Sequence, residues 1–242
     1  MHNLQRTSAL LSAILLAAVI ATALLFSSTA EAEWYVAGQV GATLPSLGGG
    51  LTNIDVGSPF LQGTTHSDLD LQNSVLYGGK IGYYFRSARW FGLETEIFNT
   101  TPNIKQQTHT FSNPSTAPVS ATLQGAHLRV TMWSPINIML RYPKGRLQPY
   151  IGLGPGIFFA RIKGEGLGAE NPTSTSSNGT IGFNAKAGVE YFMTRHLSVF
   201  GEWKYNYARF SFSENQDLFP FPYAFKATYS VQNVAFGLAY HF

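Results

Sequence analysis

The chain has 242 residues, of which 12% are charged and 14% aromatic, with 24 glycines, no cysteine and a formal net charge of +3. This hydrophobicity excludes a disordered chain, and the missing cysteines exclude a disulfide framework and any thiolate metal or redox site. The small net charge, without a Lys/Arg run, points away from nucleic acid, and so little charge with so much Gly, Tyr and Phe suits a soluble α/β enzyme poorly.

In chain order, residues 1–32 read as a signal peptide. Arg6 supplies the positive start, and Ala9 to Phe26 is apolar apart from Ser12 and Thr22. Ala30-x-Ala32 then fits the small-residue cleavage rule, so cleavage is expected after Ala32, leaving Glu33 first, or after Ala30. A permanent anchor is the alternative, but no Lys or Arg follows as a stop. Residues 33–242 then form one domain, with no residues left for a second.

That domain alternates apolar and polar with period 2 almost throughout. Eight strands are predicted: Trp34–Thr43, Ser74–Phe85, Trp90–Asn99, Ala121–Leu140, Leu147–Ile162, Ile181–Met193, Leu197–Phe210 and Ala227–Phe242. Their connections alternate in length. Arg86–Arg89, Arg141–Arg146 and Thr194–His196 are short. The connections through Gly48-Gly49-Gly50, Pro102 to Pro118, Gly164 to Gly179 and Ser211 to Pro222 are long and rich in Ser, Thr, Asn, Pro and Gly. An even number of strands with short turns at one end and long loops at the other predicts a closed antiparallel transmembrane barrel, its turns periplasmic and its four long loops outside.

Alternation also sorts side chains into faces. In the last strand Val234, Phe236, Leu238, Tyr240 and Phe242 oppose Asn233, Ala235, Gly237, Ala239 and His241. In the fourth, Leu128, Val130, Met132, Ile136 and Ile138 oppose Arg129, Thr131 and Asn137. Period 2 does not say which face is inside. The export segment, aromatic residues near strand ends and the aromatic C-terminus favour apolar outward.

Polar inward places Lys80, Arg129, Lys186 and Lys204 with Glu94, Glu96, Glu190 and Glu202 in the lumen, four charges of each sign. Balanced charge is what a narrow, poorly hydrated lumen requires, because an unpaired buried charge is costly. Glu202 and Lys204 are expected to pair with Lys186 and Glu190 on the neighbouring strand. Gly152, Gly154 and Gly156 point inward, making room for bulky neighbours such as Trp133 and Tyr150. Eight strands enclose just enough space for side chains to fill, so the expected interior is a plug.

Leu147-Gln148-Pro149-Tyr150-Ile151-Gly152-Leu153-Gly154-Pro155-Gly156 resembles a strand of the opacity-protein and OmpA-like family of small outer-membrane barrels. Similar resemblance lies in Gly188–Thr194, in Leu197–Trp203 and in the terminal Val234–Phe242. The resemblance implies a Gram-negative outer-membrane location, contact with lipid, and a terminal strand (Phe236, Leu238, Tyr240, Phe242) read by the barrel assembly machinery. It carries no catalytic residues and no cofactor.

Candidate chemistry is sparse. Lipid A deacylases of this size carry His-x-Ser on a late strand. Here that strand reads Tyr205 to Ser211 without His, and His196-x-Ser198 lies at the wrong end. Glu94 and Glu96 share a strand face and fit a lumenal ion-pair network better than an acid/base pair. Asp68 and Asp70 lack the spacing of a Ca²⁺ loop. His66, His109 and His127 lack metal-ligand spacing. Phe60 and Phe219, Phe221 and Tyr223 form apolar clusters in the loops and are candidates for contact with a surface ligand or another envelope protein. The expectation is a non-enzymatic, surface-displaying barrel; the alternative is a narrow channel for small solutes.

Overall fold

The structure, a computed structural model, describes residues 33–56, 65–113, 116–123, 125–164, 175–212 and 224–242. The predicted signal segment and Phe60, Phe219, Phe221 and Tyr223 lie outside these residues. Eight long strands form the expected closed antiparallel barrel: β1 (Glu33–Thr43), β4 (Ser74–Phe85), β5 (Ala88–Thr100), β8 (Ala126–Arg141), β9 (Leu147–Gly164), β10 (Thr175–Phe192), β11 (Leu197–Phe212) and β12 (Phe225–His241). Each pairs with the next, and β12 returns to β1 from Tyr35↔His241 to Thr43↔Asn233. Closure satisfies every edge.

Four shorter strands lie in connections that the sequence suggested were irregular: β2 (Gly50–Val56), β3 (Thr65–His66), β6 (Gln107–Asn113) and β7 (Thr116–Leu123). After β1 a single 3₁₀ turn at Pro45–Leu47 ends on Gly48 at φ 98, a left-handed conformation that favours glycine. The chain then rejoins β12 higher up, where β2 pairs from Ser230↔Gly50 to Phe225↔Val56. Single bridges Leu51↔Leu69, Leu71↔Ile104 and Ile104↔Ala126 carry the wall onward to β8. The ring therefore stays closed above the level where β1, β4 and β5 end. Residues 121–123 belong to β7 and not, as expected, to the fourth barrel strand.

A second difference lies inside β8. Its pairings with β5 and β9 shift register between Glu94 and Glu96 and between Trp133 and Ile138. Pro135 cannot donate to a ladder, so a bulge forms there, and a bulge inverts the parity of all that follows. Ser134 and Asn137 are both buried in consequence, with Ser134 Oγ 2.8 Å from Pro155 O and 2.8 Å from Asn137 Oδ1. Ile136 and Ile138 face outward as expected, but Leu128, Val130 and Met132 face inward, while Arg129 and Trp133 face outward.

The outer surface between the two rims is apolar: Val40, Ile81, Ile97, Ile138, Leu153, Val189, Phe236 and Leu238 are exposed while charged side chains are buried. Trp34, Trp90, Tyr142 and Tyr240 stand at the turn end of this band, and Trp133, Phe159, Trp203 and Tyr207 toward the loop end. This is the arrangement of a barrel with lipid outside and aromatic girdles at both interfaces.

Gly154 is required by close approach. A Cβ there would lie 2.2 Å from Ile136 O and 2.6 Å from Asn137 Oδ1, whereas one at Gly38 would meet nothing within 4 Å. Gly154→Ala is expected to destabilise by about 1–3 kcal/mol, as overpacking does. Gly38→Ala should stay within about 0.5 kcal/mol of wild type. Urea unfolding of both variants in lipid vesicles checks the pair, and equal costs would contradict the contact at Gly154.

Candidate functional site

Along β11 the inward residues run Ser198, Phe200, Glu202, Lys204, Asn206, Ala208, Phe210 and Phe212, all buried. This order, ionic then amide then apolar, names the layers that side chains from the other strands complete.

The ionic layer is a closed ring of alternating sign. Lys80 Nζ lies 2.8 Å from Glu202 Oε2 and 3.6 Å from Glu94 Oε2. Lys186 Nζ lies 2.6 Å from Glu94 Oε1 and also meets Glu96. Lys204 meets Glu96 and lies 2.8 Å from Glu202 Oε1. Each lysine thus touches two carboxylates and each carboxylate two lysines, and none of the six residues is more than 5% exposed. Three neutral donors complete the carboxylates: Tyr35 to Glu94 (2.5 Å), Gln39 to Glu96 (2.6 Å) and Tyr150 to Glu202 (2.7 Å). Lys80 also sits 4.0 Å from the centre of the Phe200 ring. Buried charges persist when geometry and further hydrogen bonds offset their desolvation, and this ring meets both conditions.

The membership differs from expectation. Lys186 and Lys204 are direct partners on β10 and β11, so each reaches across the lumen to β5 for Glu96, and Lys186 also takes Glu94. Arg129 is exposed on the outer wall because of the β8 bulge. Trp133 likewise does not fill space beside the inward glycines. Gly152 instead makes room for Met139 and Lys186, and Gly156 for Phe158 and Met132. Glu190 belongs to a separate cluster at the turn end.

In that cluster Arg141 clasps Glu33 with both terminal nitrogens, lies 3.7 Å from the Tyr84 ring centre, and donates from Nε to Arg89 O at 2.9 Å. His241 Nδ1 is 3.3 Å from Glu33 Oε1, and its Nε2 is 2.8 Å from Glu190 Oε1 and 3.2 Å from Ser198 Oγ. Sequence reading placed Arg141 in a turn and missed the cluster. The signal was present, since Arg141 and His241 end their strands on the inward parity.

Ser198, His241 and Glu33 have the connectivity of a nucleophile, base and orienting acid. However, Ser198 is fully buried and donates to Glu190 at 2.5 Å. The void bounded by Tyr35, Glu190, Phe200 and Ala239 is about 10 Å³, which is room for about one water. His196 Nδ1 meets the His241 carbonyl at 2.9 Å. The cluster is thus a floor across the barrel, with no space for a substrate.

Above the ring runs a girdle of amides and hydroxyls. Asn184 donates to Asn137 (3.0 Å), Asn206 to Asn184 (2.9 Å), Asn233 to Asn206 (2.7 Å) and Thr43 to Asn233 (2.6 Å); Thr100 links Thr43 to Ser74, at 2.7 Å each. Above the girdle the interior is apolar, packed by Met132, Phe158, Phe210, Tyr229 and Val231. Among the described residues no group of three His, Asp or Glu is placed to hold a metal ion.

The family described as "Outer membrane protein beta-barrel domain" matches residues 11–242. Similar solved structures include the outer membrane protein OprG from Pseudomonas aeruginosa, 13% identical with a TM-score of 0.54, covering 87% of this chain and 95% of that one. Neisserial surface protein A is 12% identical with a TM-score of 0.48, covering 88% and 100%. The outer membrane protease OmpT from Escherichia coli is 10% identical with a TM-score of 0.48, covering 89% and 99%. At these identities the likeness concerns the fold. A search of the curated proteins finds no match.

Proposed function

The chain belongs to the outer membrane β-barrel domain family, its apolar band in the lipid of a Gram-negative outer membrane, and on that premise we propose that it is a non-conducting, non-enzymatic mount for a surface-exposed β-wall and its loops. The observation that carries this reading is that, among the described residues, side chains fill the lumen from the Arg141–Glu33 floor through the ionic ring and amide girdle to the apolar pack. A charged ring with each carboxylate held by two lysines leaves no free field for a passing ion. Wall strands that continue beyond β1, β4 and β5 give the loops a rigid base. The long connections expected from the sequence include Phe60, Phe219, Phe221 and Tyr223, residue types enriched where proteins bind partners, so a surface ligand or neighbouring envelope protein is the partner this reading calls for.

The test is conductance in a planar bilayer. The purified barrel is expected to insert and show no steady current. Variants with shortened loops should still insert but lose binding to cell-surface or matrix material. A steady single-channel conductance would replace this reading with the alternative, a narrow solute channel.

A further inference from the structure

Arg129 on β8 and Arg161 on β9 are direct cross-strand partners, and both are exposed on the outer wall. Like charges placed opposite each other destabilise a sheet, and among the described residues neither guanidinium has a carboxylate partner. The two arginines border a concavity of about 270 Å³ that also takes in Thr131, Phe159, Ser177 and Asn178. Gly179 adds no side chain there, and a Cβ would already touch the Phe159 ring at 3.5 Å.

Height matters as much as charge. One inward-outward step below the arginines stand Thr131 and Phe159, then Trp133 and Ile157, with Ile181 beside Gly179 on β10. Phe159 is 52% and Ile181 76% exposed, so the concavity spans the boundary between the apolar band and the polar wall above it. Arg209, two residues beyond Tyr207 on β11, and Lys163, two beyond Arg161, face outward as well. The band's outer edge is therefore cationic.

We propose that Arg129, Arg161, Phe159, Ser177 and Asn178 form a binding site for the phosphorylated sugar headgroup of an outer-leaflet glycolipid. Two guanidinium forks side by side match a phosphate monoester, which accepts paired N–H bonds. The hydroxyl of Ser177 and the amide nitrogen of Asn178, whose oxygen accepts from Ser211 N–H at 3.3 Å, suit sugar hydroxyls, and the ring of Phe159 suits the start of an acyl chain. A free phosphate ion would use the arginines but leave the apolar half of the site empty.

The full chain, folded in detergent, is titrated with phosphorylated lipid A, with its dephosphorylated form, and with inorganic phosphate, and bound lipid is counted by native mass spectrometry. Phosphorylated lipid A is expected to bind about tenfold or more tightly than the dephosphorylated form, a comparison that needs no variant. Arg129→Gln with Arg161→Gln should abolish that preference while heat-modifiable migration stays intact. Arg129→Lys with Arg161→Lys should keep part of it. Equal binding of the two lipids, or an unchanged preference in the folded Gln variant, would overturn the site. Displacement of the lipid by millimolar inorganic phosphate would overturn the assignment to a headgroup.

Discussion

Lys186→Met is expected to lower the unfolding free energy by about 3–5 kcal/mol, the cost of breaking a buried pair by removing one partner. Lys186 is the link between Glu94 and Glu96. Without it the ring carries two lysines and three carboxylates, and the stranded oxygens have no cation to turn to. Tyr35 and Lys80 still serve Glu94, and Gln39 and Lys204 still serve Glu96, so the barrel should assemble but unfold at lower urea in lipid vesicles. Adding Glu96→Gln restores the charge balance and should recover part of the loss. No recovery would mean that the lost hydrogen bond to Glu94 matters more than the charge balance. A loss under about 1 kcal/mol would mean that water already enters this layer.

Phe158→Ala should cost a similar amount, about 3–5 kcal/mol, by a different mechanism: lost apolar burial plus the cavity left behind. Phe158 is fully buried and lies against Gly156, Gly182 and Tyr229, its ring centre 6.4 Å from that of Tyr229. Both glycines are spaces shaped for this ring, and neither neighbour can move to refill it. The amide girdle and the ionic ring lie below the cavity, so the variant is expected to stay non-conducting. A steady current in Phe158→Ala would show that the apolar pack is the seal and that the lower layers leak.

These layers explain how far residue patterning reached. Period 2 was enough to locate all eight wall strands, because a closed barrel with lipid outside keeps one face apolar over its whole height. The same pattern marked Lys80, Arg129, Lys186, Lys204, Glu94, Glu96, Glu190 and Glu202 as sharing the opposite face, although Arg129 stands outside. Charge balance then favoured that face as the interior, since buried charges can coexist only if they cancel.

Partners were another matter. Strand adjacency suggested Glu202 and Lys204 with Lys186 and Glu190, but Lys186 and Lys204 face each other in the ladder, and the choice of Glu94 and Glu96 came from curvature that carries β5 across the lumen. Arg129 shows a second limit. Apart from Ser134, the even-numbered residues of β8 on both sides of Pro135 are apolar, so the sequence looks like one unbroken face. The bulge turns the first half inward and the second half outward, and the pattern hides it because the outer lumen is itself apolar. The segments between β1 and β4 and between β5 and β8 read as polar loops, yet they close the wall. Their backbone bridges depend on which chain lies alongside, and side-chain periodicity carries no record of that. Sequence by itself therefore determined the number of barrel strands, their alternation and the balanced charge of the lumen. The pairing of charges, the parity of β8 and the outer wall were decided by the closed barrel, because only closure brings non-neighbouring strands within reach of one another.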